Sequence, residues 1–276
     1  MVNVPEENMD VGLLALIIAK EYDPKVEVER HLNELDDMTE EIERMLAERT
    51  KGIEKMIMSK TFLFEPGVWN DNYPFSYDLE DPLGKQLENQ LLSTYLNSRK
   101  ENCLSMPALF IALMERIDPI LPFYAVRVPL HLFCRLYDRQ TGDVWNIETT
   151  NGGHPARNQW YIESLGIPQV SIERITYLAD MSKRELIADL PQPLMLRARR
   201  AEDYETALKY ADLALRLNPH AIYSLVNKGA IYSQMGYEKL ERIKSENRGV
   251  SQKEKQQLDW WDQEAGKYIE RAFALG

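Results

Sequence analysis

The chain has 276 residues, 44% of them apolar, which is enough to bury a core and fits about two domains. Its net charge is −11, from 33 Lys and Arg against 44 Asp and Glu, and without a basic block such a chain is expected to bind neither nucleic acid nor an anionic membrane. Cys103 and Cys134 are too few for a disulfide framework, so a cytoplasmic setting is expected.

The first ten residues carry acids where an export signal would carry a basic stretch, and the apolar run 13–19 is too short to cross a bilayer. Residues 9–20 read as a short buried helix closed by Pro24. Residues 26–50 read as an amphipathic helix, with Val28, Leu32, Leu35, Met38, Ile42, Met45 and Leu46 recurring at three- and four-residue steps. Residues 53–64 form another. Pro66, Gly67, Asn70, Asn72, Pro74 and Pro82 break any period over 65–81, so that stretch reads as a loop. Its Trp69, Tyr73, Phe75 and Tyr77 either pin it to the core or wall a cleft.

Helical spacing resumes over 83–97 through Leu87, Leu91 and Tyr95, then stops at the polar run 98–102. Cys103 heads an apolar helix (Leu104, Met106, Leu109, Phe110, Leu113, Ile117) in which Pro107 fits only the first turn. Three strands are predicted at 123–128, 131–137 and 143–149, the last two joined by a turn at Asp138 to Gly142. Residues 158–190 show no clear period. From about residue 194 the chain is helical. Tyr204, Ala207, Ala211, Ala214 and Pro219 fit the second half of a tetratricopeptide repeat, and Leu225, Gly229, Tyr232 and Gly236 fit the opening of another. The polar stretch 241–258 reads as an insert interrupting its second helix, which resumes at Ala265, Ile269 and Ala272. So short an array is expected to dock on the preceding domain. The division expected is 1–190 and 191–276.

The candidate chemistry lies in Cys103, His131 and Glu148. A thiol nucleophile needs a base, and the base needs a third group to fix its tautomer. A helix N-terminus also favours a thiolate at Cys103. Strand alternation puts Leu132, Cys134 and Leu136 on an apolar face, so Cys134 reads as core, and sets His131 on the opposite face with Phe133, Arg135 and Tyr137. A four-residue hairpin loop, Arg139 to Gly142, would pair Phe133 with Glu148 and bring His131 diagonally beside it. A three-residue loop would put the two on opposite faces.

These residues resemble the transglutaminase-like superfamily of papain-type thiol enzymes. The likeness is carried by Asn102-Cys103-Leu104-Ser105-Met106-Pro107, Val128-Pro129-Leu130-His131-Leu132-Phe133 and Asn146-Ile147-Glu148-Thr149-Thr150 in that order. With Phe62-Leu63-Phe64 and the trailing repeats, it extends to the bacterial branch of transglutaminase-core proteins with C-terminal tetratricopeptide repeats. The resemblance implies an α+β fold, a helix packed on an antiparallel sheet, with Cys103 as nucleophile, His131 as base and Glu148 as its orienter. The family often has glycine before the cysteine segment and before the histidine, where this chain has Glu101 and Leu130. The function expected is cysteine-dependent acyl transfer or hydrolysis on a peptide or protein. The alternative is a catalytically inactive scaffold that binds a partner through its repeats. No cofactor is expected: the spacing of His31, His131, His154 and His220 with the cysteines makes no zinc site, and there is no phosphate-binding glycine loop. Asn102 reads as the helix cap, and Trp260-Trp261 as repeat packing.

Overall fold

The computed structural model describes residues 2–276, and its first half wraps four helices around a fifth. These are α1 (Val11–Tyr22), α2 (Val28–Leu46), α3 (Gly52–Phe64), α4 (Leu92–Ser98) and the central α5 (Ser105–Ile117). Asp10 caps α1 by accepting the Leu13 amide at 2.8 Å. Every residue of α5 from Ser105 to Met114 is buried, and Pro107 sits in its first turn where no amide is needed. A Cβ on Gly12 would come within 2.8 Å of Leu35 and 3.2 Å of Ala112, so the missing side chain is what lets α1 approach α2 and α5. Leu109 is fully buried in this core. Leu109→Ala is expected to cost about 2–5 kcal/mol, read as a lower urea midpoint at unchanged slope.

Two stretches depart from the sequence reading. The helix expected over 83–97 shrinks to a 3-10 turn, Leu87–Gln90, followed by α4. The Asp81 carboxylate draws off the amides of Lys85 and Gln86 at 2.8 and 2.9 Å, so a side chain supplies the local bonds that a helix would have used. The loop 65–81 contains a short strand, β1 (Ser76–Tyr77), parallel to β2 (Lys100–Glu101) in the supposed polar break. Its aromatics divide. Phe75 is buried edge-on to Tyr95 and Trp69 packs on the core, whereas Tyr73 is exposed.

The chain is α+β. Its five-stranded sheet is antiparallel throughout and contains β3 (Phe123–Val128), β4 (His131–Tyr137), β5 (Val144–Glu148), β6 (His154–Pro155) and β7 (Asp180–Met181), in the order β6-β5-β4-β3-β7. Leu132, Cys134 and Leu136 join the core around α5. The other face is also covered. There Val126, Val128 and Phe133 pack with Tyr161, Ile167 and Leu178 from the segment carrying α6 (Asn158–Leu165) and α7 (Gln169–Glu173). The first part of the aperiodic stretch 158–190, up to Leu178, is therefore the cover of a second small core, and the rest, from Met181 to Leu190, joins the core around α5.

The remaining helices are α8 (Lys183–Asp189), α9 (Gln192–Arg200), α10 (Tyr204–Leu217), α11 (Ile222–Ser245) and α12 (Gln252–Leu275), with α10 packed on α8 and α9, α11 on α10 and α12 on α11. The polar stretch 241–258 does not interrupt a helix. It extends α11 and α12 into a hairpin of two 24-residue helices joined over 246–251. Exposed i,i+3 and i,i+4 pairs such as Lys244 with Glu241 and Arg242 with Glu246 let so polar a stretch stay helical. Gly229 allows the two helices to meet, since a Cβ there would lie 2.8 Å from Ile269. The group docks on the first part of the chain, with Leu186, Ile187, Leu194 and Leu217 buried in its core, Arg200 donating to the Lys85 carbonyl at 3.1 Å, and polar ties at both ends. The Tyr210 hydroxyl donates to Glu21 at 2.9 Å, and Ser171 and Arg174 donate to the carbonyls of Gly276 and Ala274, each at 2.7 Å. Among the described residues no helix is long and apolar enough to cross a membrane.

Candidate active site

Cys103 occupies the turn that leads into α5, half-exposed, while Asn102 beside it is buried. The Asn102 carboxamide accepts the Leu104 amide at 3.0 Å, closing a local turn ahead of α5; it is not the helix cap expected of it, since the N-cap is Leu104, which makes no side-chain cap bond. The Cys103 thiol points at the Leu130 carbonyl, 3.7 Å away. Leu130 ends β3's turn into β4, so this contact joins the start of α5 to the hairpin that carries His131.

The β4–β5 register pairs Cys134 with Ile147 and Tyr137 with Val144, and Asp138 closes the turn by donating to Asp143 at 2.8 Å. That is the register of the four-residue loop, and it puts His131 and Glu148 on one face. His131 Nε2 lies 2.8 Å from Glu148 Oε2. A carboxylate only accepts, so Nε2 carries a proton, which leaves Nδ1 as the nitrogen that can exchange one with the thiol. Burial alone would pull the His131 pKa down, but hydrogen bonding to Cys103 and to Glu148 outweighs it and raises the pKa to about 9. The thiol is thus within influence of the ring while its resting bond goes to Leu130, a looseness common before substrate is bound.

Glu148 is held from four directions. It accepts from His131, from the Tyr161 hydroxyl at 2.6 Å, and from the Thr150 amide and hydroxyl at 3.0 and 2.6 Å. Burial pushes its carboxyl up, but the bonds from His131, Thr150 and Tyr161 win and keep it below the usual carboxylate range. Tyr161 in turn stacks on Phe133 with rings 4.4 Å apart and nearly parallel. Burial, then the Glu148 charge, pushes its hydroxyl far above the phenol range, so it remains a donor.

Sequence reasoning missed Tyr161, because its segment has no period and its partner lies on another element. It also missed Glu101. Glu101 is fully buried two residues before Cys103, with one oxygen bonded to Ser105 at 2.7 Å and to the Asn102 amide at 3.3 Å, and the other without a hydrogen-bond partner. Burial pushes this carboxyl well above its ordinary range. Tyr77 was singled out only as one of four loop aromatics. It comes to the site, where burial and then the charges of Cys103, Asp81 and Glu148 raise its hydroxyl.

Leu130 is the second residue of the two-residue turn between Val128 and His131 and adopts φ +56°. Proline followed by a left-handed residue is the order of a type II turn, whose second place glycine usually fills. The left-handed conformation costs leucine about 1–2 kcal/mol. Beside this turn runs a groove of about 970 Å³ whose lining includes His131, Glu148, Tyr161, Trp160 and Leu165.

Cys134, by contrast, is fully buried, and burial pushes its thiol well above the ordinary range, as suits an inert core residue. His154 is exposed on β6, and His31 is buried with its Nδ1 3.1 Å from Glu34. Among the described residues no group of three or more His, Cys, Asp or Glu side chains is placed to hold a metal ion.

No protein-family model matches the chain, and no solved structure does. The chain is similar to UPF0162 protein YchA of Escherichia coli (strain K12), 24% identical over 209 residues that cover 73% of this chain and 74% of that protein. UPF0162 protein YchA of Escherichia coli O157:H7 matches with the same figures.

Proposed function

We propose that the chain is a cysteine-dependent acyl-transfer or hydrolysis enzyme of the transglutaminase-like, papain-type class, with its last four helices as tetratricopeptide-type hairpins. The observation that carries the reading is the His131–Glu148 contact at 2.8 Å, with the Cys103 thiol beside the same ring. In the proposed reaction the Cys103 proton passes to His131 Nδ1 ahead of attack, so that the ring carries both protons as its raised pKa requires, and Sγ attacks the carbonyl carbon of a peptide amide or ester. The carbonyl π bond opens to an oxyanion, for which the backbone amide of Cys103 is the candidate donor. The oxyanion collapses to a thioester, and the leaving amine or alcohol departs with the proton from His131. Water or an amine then attacks the thioester, gives its proton to His131 and returns the thiol. Glu148 stays ionised and holds the ring through Nε2.

Iodoacetamide labelling tests this directly. Cys103 is expected to react at pH 6–7 about ten times faster than a small free thiol or more, with the Cys103→Ala protein unlabelled because Cys134 is buried. Labelling no faster than the free thiol, and unchanged by His131→Ala, would sink the proposal.

A further inference from the structure

The groove beside His131 has features that the acyl-transfer chemistry leaves unused. Its walls are mainly apolar, built from Pro129, Leu130, Pro155, Ala156, Trp160 and Leu165. Leu130 is 89% exposed although its backbone is left-handed. An exposed leucine gains nothing from burial here and carries the conformational cost besides. Contact with an apolar ligand is the one interaction that position offers its side chain. Trp160 is 54% exposed yet braced edge-on by Tyr161, rings 5.0 Å apart at 75°, so a rigid aromatic surface faces the groove. Tyr161 also donates to Glu148, which places this wall one residue from the catalytic constellation. Arg157 and Glu163, both exposed, give the groove's rim one charge of each sign.

We propose that this groove is the specificity subsite of the enzyme, and that it takes a large apolar side chain, of the phenylalanine or leucine kind, from the residue next to the attacked carbonyl. Leu130 and Trp160 are its two jaws. The identity of the attacked bond rests on the function proposed above. The binding preference of the groove does not. The groove is continuous with His131, its lining matches an apolar occupant, and its volume lies in the range of sites that bury small ligands or peptide side chains.

Two fluoromethyl ketones, N-acyl-phenylalanyl and N-acyl-glycyl, supply the test. The ratio of their labelling rates at Cys103 is compared within each protein, which cancels any change in the thiol itself. The phenylalanyl reagent is expected to label the unaltered protein about tenfold faster or more. In Trp160→Ala and in Leu130→Asn, which keeps a residue tolerant of the left-handed turn, the ratio should fall towards one. A ratio near one in the unaltered protein, with rapid iodoacetamide labelling, overturns the subsite and leaves the enzyme standing. If Cys103 proves unreactive even to iodoacetamide, the enzyme falls and the groove is judged in the Cys103→Ala protein by ligand-observed NMR. Saturation transfer to N-acetyl-phenylalaninamide but not to N-acetyl-glycinamide, lost in Trp160→Ala, supports it. Equal behaviour of the two amides overturns it.

Discussion

Glu148→Gln is expected to cut Cys103 alkylation at pH 6 by about ten- to a hundredfold, the factor that one or two units of His131 pKa represent. Thr150 donates both its amide and its hydroxyl to Oε1 of the present carboxylate, so the glutamine oxygen will stay there. The new NH2 group must then face His131 Nε2 and the Tyr161 hydroxyl. That NH2 and Nε2–H are both donors and cannot pair, so the doubly protonated ring loses the partner that stabilises it and the neutral ring places its one proton on Nδ1, where it can no longer take the thiol proton. The pH profile distinguishes this from mere unfolding. In the unaltered protein a step in alkylation is expected near pH 9, where His131 loses its proton. In the variant that step moves down towards 6.5, the ordinary histidine value. Stability should follow. A pKa raised from 6.5 to about 9 means a contribution fully present below 6.5 and lost as pH rises through about 9. The Glu148 carboxyl, held low, adds a contribution present above the usual carboxylate range and lost as pH falls below it. The stability gap between the unaltered protein and the variant should therefore reach up to about 3 kcal/mol at pH 6 and shrink by pH 10. A gap that is flat from pH 6 to 10, with an unmoved alkylation step, would show that Glu148 does not govern the ring.

The parts of this site that could be read from sequence are those that local periodicity encodes. Alternation along one strand separates Cys134 from His131, and the length of one turn fixes which residue Glu148 faces, so both follow from a few adjacent residues. What escapes is settled by partners far along the chain. Arg135 shares the strand face of His131 and reads as polar surface, yet it is 5% exposed because the aperiodic segment 158–190 folds over it. Glu101 lies in a run that reads as a polar break, yet its pairing with the β1 strand carries it under the surface. Over 83–97 the apolar spacing is genuine, and Asp81, placed before the stretch, redirects the backbone bonds regardless. At the far end the acids and lysines of 241–258 read as an insert interrupting a helix because helix propensity and surface ion pairs leave no apolar stripe.

Arg135→Met is expected to destabilise the fold by about 3–5 kcal/mol, the cost of breaking a buried ion pair from one side. The guanidinium is almost wholly enclosed and spends its donors on four groups. Nε donates to Asn146 at 2.8 Å, Nη1 to the Leu178 carbonyl at 3.0 Å and to Asp180 at 2.9 Å, and Nη2 to Asn158 at 3.0 Å. Methionine fills part of the volume but supplies none of these bonds. Asp180 keeps the Tyr137 hydroxyl at 2.6 Å, and its side chain is 29% exposed and can recruit water, which sets the expected cost nearer the lower figure. Asn158 is exposed and can also take water, but it opens α6, and its side chain is tied to the sheet only through Arg135 and through Asn146, 2.8 Å away. Since α6 presents Tyr161 to Glu148, loosening its first turn should also weaken the bond that keeps Glu148 ionised and in place. Urea denaturation reads the first effect, and the alkylation step near pH 9 reads the second, which should shift down in Arg135→Met even where the protein is fully folded. A loss of stability below about 1 kcal/mol, the worth of an exposed pair, would show instead that water reaches this network and that β4 holds α6 by the Phe133–Tyr161 stack alone.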